Sequence, residues 1–231
     1  MAGSKKYEPP KATAGDYTHT VVRAGLGAIP LVGTAATELF RLVVEPPLDR
    51  RRQVWMEEVG ESLRKLDAEK GVRLEDLREN DTFIDIVLQA SQAAMRTSHE
   101  EKRKALRNAI MNSALPHSPD EARQHFFIRL IDELSARHLQ VLKIFQDPLE
   151  WAKANKHDTP IIVGDNEDAD LARRLAFPDM GDERPYAEQI WRDLHVRGLV
   201  KRDSFQRVFG PAKNEITVIA HEFLRYIKEP V

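Results

Sequence analysis

Residues 82–96 read TFIDIVLQASQAAMR, and this stretch decides the fold class of the chain. Its apolar and small side chains recur every three or four positions: Phe83, Ile84, Val87, Leu88, Ser91, Ala94 and Met95. A period of about 3.6 residues places such side chains on one face of an α-helix, whereas a strand would alternate. The stretch therefore predicts a helix that packs one face against a core.

The same periodicity continues toward the N-terminus. The apolar positions Leu48, Trp55, Val59, Leu63 and Leu66 predict a helix from Pro47 to about Lys70, with Gly71 as its C-cap. Before it, Glu45-Pro46-Pro47 predicts a helix stop, because a residue that precedes proline avoids the α conformation.

Helical signals also follow the opening stretch. Ser98 and Glu101 have the spacing of a capping box, which predicts the start of a helix that Pro116 ends. A further helix is expected after Ser118, with Phe126, Phe127, Leu130 and Ile131 on its inner face. Up to about residue 135 the chain shows no alternation typical of strands, so this part is predicted to be a helical bundle.

The C-terminal third mixes short helices with one weakly alternating stretch. Helices are expected at about 138–145, 170–177, 185–200 and 220–227. The alternation of Glu215–Ile219 predicts a short strand. Residues 1–17 are rich in Pro, Lys and small polar residues, which predicts a disordered tail.

The order of these elements resembles a winged helix-turn-helix of the MarR type. Asp193–Val200 matches the end of that family's recognition helix, and Thr217–Leu224 is similar to its last helix start. The usual glycine of that helix start is replaced by Ala220 or His221. The resemblance covers about residues 136–229 and implies a small β-wing.

These signals give one prediction of architecture. The chain is expected to be mainly α, with a helical bundle followed by a winged-helix-like α+β module that carries a small β-wing. Its predicted divisions are a tail at 1–17, a helical domain at 18–135 and the winged-helix-like domain at 136–231.

A DNA reader needs an excess of cations to neutralise phosphates, and the C-terminal module lacks one. Residues 136–231 hold 15 Lys and Arg against 16 Asp and Glu, a net charge of −1. Cations are still present on the predicted recognition helix and wing: Arg192, Arg197, Lys201, Arg202 and Arg207. We therefore take these residues as a candidate interaction surface, with protein contacts favoured over DNA.

The order of parts also resembles the Abi-alpha abortive-infection family of bacterial defence proteins. The similarity rests on an apolar N-terminal helix, the helix start Pro47-Leu48-Asp-Arg50-Arg51-Arg52, a mid-chain helical pair and the link from Phe127 to Leu139. It spans most of residues 20–229. It implies a bacterial cytosolic protein of phage defence, and the family supplies no catalytic residue. Arg50, Arg51 and Arg52 are a second candidate interaction surface.

Composition and motifs point away from catalysis. The 231 residues include no cysteine and carry a net charge of −2, which suits a cytoplasmic protein without thiolate chemistry. No two of the eight histidines are four residues apart, as a helical zinc site would require. The expectation is a protein that is not an enzyme, with no catalytic, metal-binding or cofactor-binding residue.

Residues 24–40, AGLGAIPLVGTAATELF, form an apolar run whose first 14 residues carry no charge. Such a run is shorter than the roughly 20 residues of a bilayer span, and buried core is its commonest use. The alternatives are an oligomer interface and a latent membrane segment that inserts only after a conformational change. The candidate residues are Gly25, Gly27, Ile29, Leu31, Gly33, Leu39 and Phe40.

Three functional hypotheses follow. The first is a cytoplasmic regulatory or interaction protein of phage defence that acts through a protein partner or homo-oligomer. The second is a latent membrane-active effector that uses residues 21–44. The third is a DNA-binding regulator that uses the wing and the 185–198 helix.

Overall fold

The computed structural model describes residues 34–156, 167–178, 180–205 and 215–230. Within these ranges the chain is mainly helical, which confirms the predicted fold class at that level. Ten helices lie in the described ranges: α1 Thr34–Lys70, α2 Leu74–Arg78, α3 Asp81–Arg96, α4 Glu100–Ser113, α5 Glu121–Glu133, α6 Ala136–Gln146, α7 Pro148–Ala154, α8 Glu167–Ala176, α9 Met180–Val196 and α10 Val218–Tyr226.

Helix α1 runs without interruption through Pro46-Pro47, so the predicted stop at these prolines is wrong. Proline removes a backbone N–H, and here the carbonyls four residues earlier, at Leu42 and Val43, lose their helical donors. The side chains of Leu42 and Val43 are 75% and 65% exposed, so this part of the helix is open to water that can satisfy those carbonyls. The predicted end at Lys70 is confirmed, and Gly71 has the positive φ of 65° expected of its C-cap role.

The centre of the bundle is formed by α3, α4 and α5. Small residues on α3, such as Ala90 and Ala94, are fully buried and let the neighbouring helices approach closely. Trp55 of α1 is buried as well, and its indole Nε1 donates to Ser91 Oγ of α3 at 2.9 Å. The large side chains that fill this centre share an exposed fraction of 1% or less: Ile86, Leu106, Ile110, Phe127, Ile128 and Ile131.

A second part of the core is aromatic. The ring of Trp191 on α9 lies 4.8 Å from Phe145 of α6 and 5.3 Å from Phe205, measured between centroids. Phe205 also meets Phe177 edge to face at 5.3 Å. The Trp191 indole N–H donates to the carbonyl of Arg202 at 2.9 Å, so the polar atom of the buried ring is satisfied.

Helix α10 packs back on α4 and α5. Asn108 Nδ2 donates to the carbonyl of Ile227 at 2.9 Å, and Asn112 Nδ2 donates to that of Tyr226 at 2.8 Å. The rings of Phe127 and Phe223 are 5.6 Å apart. One buried cluster thus includes residues from both sides of position 135, while the division into domains there stays a prediction.

The residues near the predicted wing do not form the short strand that was predicted at Glu215–Ile219. In the described part of the chain, Val200 and Ile216 make an isolated antiparallel bridge, and no strand is found. Thr217 ends the extended segment because its hydroxyl accepts the Ala220 N–H and donates to the Gly198 carbonyl at 2.7 Å. Helix α10 therefore begins at Val218, inside the predicted strand. Residues 206–214 lie outside the described residues.

Candidate functional site

The three arginines at 50–52 lie within α1, and they do not have the same surroundings. Arg51 donates from Nη1 to the carbonyl of Met95 at 2.6 Å, which satisfies an acceptor in the last turn of α3. Arg52 also has an interaction partner, whereas Arg50 is in an exposed position. Arg51 is therefore partly used for packing and is not fully available to a ligand.

The cations predicted on the C-terminal module are also divided. Arg197 lies 3.6 Å from the Glu133 carboxylate, and Arg202 lies 3.2 Å from the buried carboxylate of Glu215. Arg192 and Lys201 are exposed. Arg207 lies outside the described residues. Two of the four described cations thus face a carboxylate of the same chain, which leaves less positive charge for phosphates.

Three large apolar side chains project from consecutive turns of α1. Leu39, Leu42 and Val43 are 63%, 75% and 65% exposed, and we call them the apolar stripe. Gly25, Gly27, Ile29, Leu31 and Gly33 lie outside the described residues, as does the side chain of Phe40. None of the helices in the described ranges is long and apolar enough to cross a bilayer.

One charged pair lies close to the apolar stripe on this part of α1. Arg41 and Glu45 are one helical turn apart, and their side chains approach to 3.7 Å. At about 3.6 residues per turn, Arg41 lies on the far side of the helix from the apolar stripe, whereas Glu45 lies three residues after Leu42 and borders the stripe. This part of α1 therefore carries exposed apolar side chains on one side and Arg41 on the other.

A second candidate site was not predicted from the sequence. It is a cleft of about 490 Å³ between the end of α3, the start of α4 and the junction of α5 with α6, and we call it the polar cleft. Its lining is largely polar: Arg96, Thr97, His99, Lys102, Asp132, Glu133, Leu134 and Ser135.

Lys102 is the buried cation of the polar cleft. Only 9% of the residue is exposed, and its Nζ donates to the backbone carbonyl of Asp132 at 2.8 Å. Burial lowers the pKa of Lys102, against the attraction of the Asp132 carboxylate, and the nearby Arg96 lowers it further. The carboxylate of Asp132 itself is held by Arg96 at 2.6 Å.

Ser135 joins the polar cleft to a buried histidine. Its hydroxyl is 2.7 Å from Nδ1 of His138, and its backbone N–H donates to the same nitrogen at 3.3 Å in a capping box. Because Nδ1 accepts a hydrogen bond, the proton of the neutral ring lies on Nε2, which is 3.5 Å from Asp193 Oδ2 of α9. Burial lowers the pKa of His138, and Asp193 opposes that shift.

The residues of the polar cleft were not predicted from the sequence, because they lie among charged residues or resemble surface residues. Lys102 belongs to the run Glu100-Glu101-Lys102-Arg103-Lys104, which is typical of a solvated helix face. One signal was present. Lys102 is three and four residues before the buried Ala105 and Leu106, on the apolar side of α4. The packing of α5 against Lys102 cannot be predicted from the sequence around Lys102, because α5 lies farther along the chain.

Comparison with known protein families, curated proteins and solved structures found no match to this chain. The resemblances to MarR-type winged helices and to the Abi-alpha family stay predictions.

Proposed function

We propose that this chain is an interaction protein that acts through protein contacts, and that the apolar stripe of α1 is its contact surface. The observation that carries this proposal is the exposure of Leu39, Leu42 and Val43 on one helical face. Large apolar side chains grouped on an exposed surface are typical of a binding site.

The occupant that we propose is a second copy of the chain. Two helices with the same stripe bury each other's apolar side chains in an isologous contact. Full burial of one such side chain contributes about 1.5–3 kcal/mol, so six of them provide a substantial driving force for association. Arg41, on the far side of the helix, stays in water.

We propose that the C-terminal part is a winged-helix-like module with a scaffolding role. The Val200–Ile216 bridge at the base of the predicted wing supports that arrangement. The pairing of Arg197 and Arg202 with carboxylates favours a protein-facing module over a DNA-binding one. Phage defence in bacterial cytoplasm is the setting that we propose, and it rests on the Abi-alpha resemblance alone.

The test is the oligomeric state of the purified full chain. Light scattering after size exclusion is expected to show a concentration-dependent dimer for the wild type. The triple variant Leu39→Gln, Leu42→Gln and Val43→Thr is expected to be a monomer, because its helix face no longer gains from burial. The matched control, Arg41→Gln, changes the far side of the same helical turns and is expected to leave the dimer intact.

A wild-type monomer at every concentration would contradict the proposed occupant. Flotation with liposomes then separates the remaining possibilities. Wild-type flotation that the triple variant loses would assign the apolar stripe to a membrane surface instead. If the triple variant dimerises like the wild type, the contact lies elsewhere and the role of the stripe is wrong.

A further inference from the structure

We infer that the polar cleft binds a small oxyanion, either a phosphate or a carboxylate group, with Lys102 as its central cation. This inference goes beyond the proposed function, because the polar cleft shares no residue with the apolar stripe. It stands on the burial of Lys102, the arrangement of charges around it and the open volume in front of it.

The first step is the state of the Lys102 ammonium. A buried charge is costly unless a group of opposite charge or several hydrogen bonds compensate it. An ammonium has three donors, and within the described residues Lys102 uses one of them, toward the neutral carbonyl of Asp132. No carboxylate of the described chain lies within 4 Å of this Nζ. Because Lys102 lines the cleft, an anion that enters can supply the missing partner.

The second step is the balance of charge at the cleft. Its two carboxylates each face an arginine: Asp132 lies 2.6 Å from Arg96, and Glu133 lies 3.6 Å from Arg197. Lys102 is then a cation whose charge is offset only in part, by the Asp132 carboxylate that already pairs with Arg96. A small anion would complete the balance without breaking either ion pair.

The acidic residues at the start of α4 do not cancel this charge. Glu100 pairs with Arg103, and Glu101 pairs with Lys143 at 2.8 Å. The first turn of α4 also has no side-chain cap from its N-cap residue, His99, so backbone N–H groups at this positive helix end add to the attraction for an anion.

The third step is the number of donors. Arg96 of α3 has an exposed guanidinium that carries several N–H groups, and Lys102 of α4 adds its ammonium on another wall of the cleft. Charged donors on separate walls suit an anion with several acceptor oxygens. A volume of about 490 Å³ leaves room for the organic part of a small metabolite.

The experiment is calorimetric titration of the full chain with inorganic phosphate and, separately, with acetate, with chloride keeping the ionic strength constant. We expect saturable binding of at least one anion with a stoichiometry of one. The anion that binds identifies the ligand chemistry. Lys102→Met is expected to weaken binding by about tenfold or more, because a charged hydrogen bond is lost from a buried site.

Two further variants keep the test decisive. Arg96→Gln, on the exposed side of the cleft, is expected to weaken binding in the same direction and provides the answer if Lys102→Met fails to fold. Arg78→Gln removes an exposed arginine that pairs with Glu79, outside the cleft, and is the matched control with unchanged affinity. No saturable binding up to about 10 mM of either anion, or equal affinity in the Arg96 and Arg78 variants, would overturn the inference.

Discussion

At the scale of single residues, the structure places several titratable groups where burial opposes their charge. Lys102 and His138 have lowered pKa values, and Glu215 has a raised one. In each case burial is the largest cause, and a residue of opposite charge partly offsets it. These groups connect the stability of the fold to pH.

His138 is expected to make the fold less stable in mild acid. Its pKa in the folded protein is below the ordinary 6.5, so the unfolded chain binds a proton more readily. The resulting contribution to the free energy of unfolding is fully present above about pH 6.5 and is lost as the pH falls through the lowered pKa. Urea unfolding at about pH 7.5 and 5.5 measures this loss.

The variant His138→Gln cannot titrate, so the difference in unfolding free energy between the two pH values is expected to shrink. His117→Gln changes an exposed histidine and serves as the control. If both variants keep the wild-type pH dependence, the loss of stability in acid has another source.

Asn108 is expected to matter more for stability than its polar side chain suggests. The residue is 3% exposed, and its amide satisfies the Ile227 carbonyl just past the end of α10. Asn108→Ala leaves that acceptor without its donor, which is expected to cost about 1–3 kcal/mol in urea unfolding. The comparison is Asn155→Ala, which removes an exposed amide hydrogen bond to Trp151 and is expected to cost much less.

At the scale of elements, periodicity predicted the positions of most helices well, whereas local stop and cap signals were less accurate for the helix ends. The helix expected at 82–96 is observed as Asp81–Arg96. Its buried face differs from the predicted stripe, because Ile84 and Leu88 are exposed. Ile86, Ala90 and Ala93, which lie outside that stripe, are buried instead. The capping box expected at Ser98 is not formed, since the helix begins one residue later with His99 as N-cap. The prolines of α1 failed as a stop because a helix that is open to water tolerates missing donors.

The double proline of α1 gives a prediction for this element. Pro46→Ala with Pro47→Ala restores two backbone donors to the carbonyls of Leu42 and Val43. Hydrogen exchange at residues 47–52 is expected to slow by about tenfold or more, because proline costs about 3 kcal/mol in a helix interior. Pro119→Ala lies before α5 and is the control. Unchanged exchange in the double variant would show that the two missing backbone donors do not control the opening of this segment.

At the scale of the whole molecule, contacts that are distant in sequence decided what could not be predicted. The polar cleft exists because the end of α5 lies against the start of α4, and His138 meets Asp193 across 55 positions of sequence. Patterns within one helix indicate that one face is buried, but they do not identify the neighbouring helix. The helical architecture was therefore predictable, whereas the cleft and its buried cation were not.

The predicted domain 136–231 is expected not to fold when produced alone. Its last helix lies on Phe127, and its C-terminal end receives the amides of Asn108 and Asn112. An isolated fragment would expose that surface, so its amide NMR spectrum is expected to have poor dispersion.

The control for this fragment is the chain shortened to residues 50–231, which form one compact unit. It keeps α4, α5 and α10 together, and its spectrum is expected to be well dispersed. A well-dispersed spectrum of the 136–231 fragment would show instead that the module is autonomous.

The asparagine contacts with α10 also have a consequence for synthesis on the ribosome. The amide of Asn108 is translated 119 residues before the carbonyl that it binds. Until that carbonyl leaves the ribosome, the amide of Asn108 has no partner and the apolar surface beside it is uncovered. A chain truncated before residue 226 would keep both defects permanently, and cellular proteases could recognise it as unfinished.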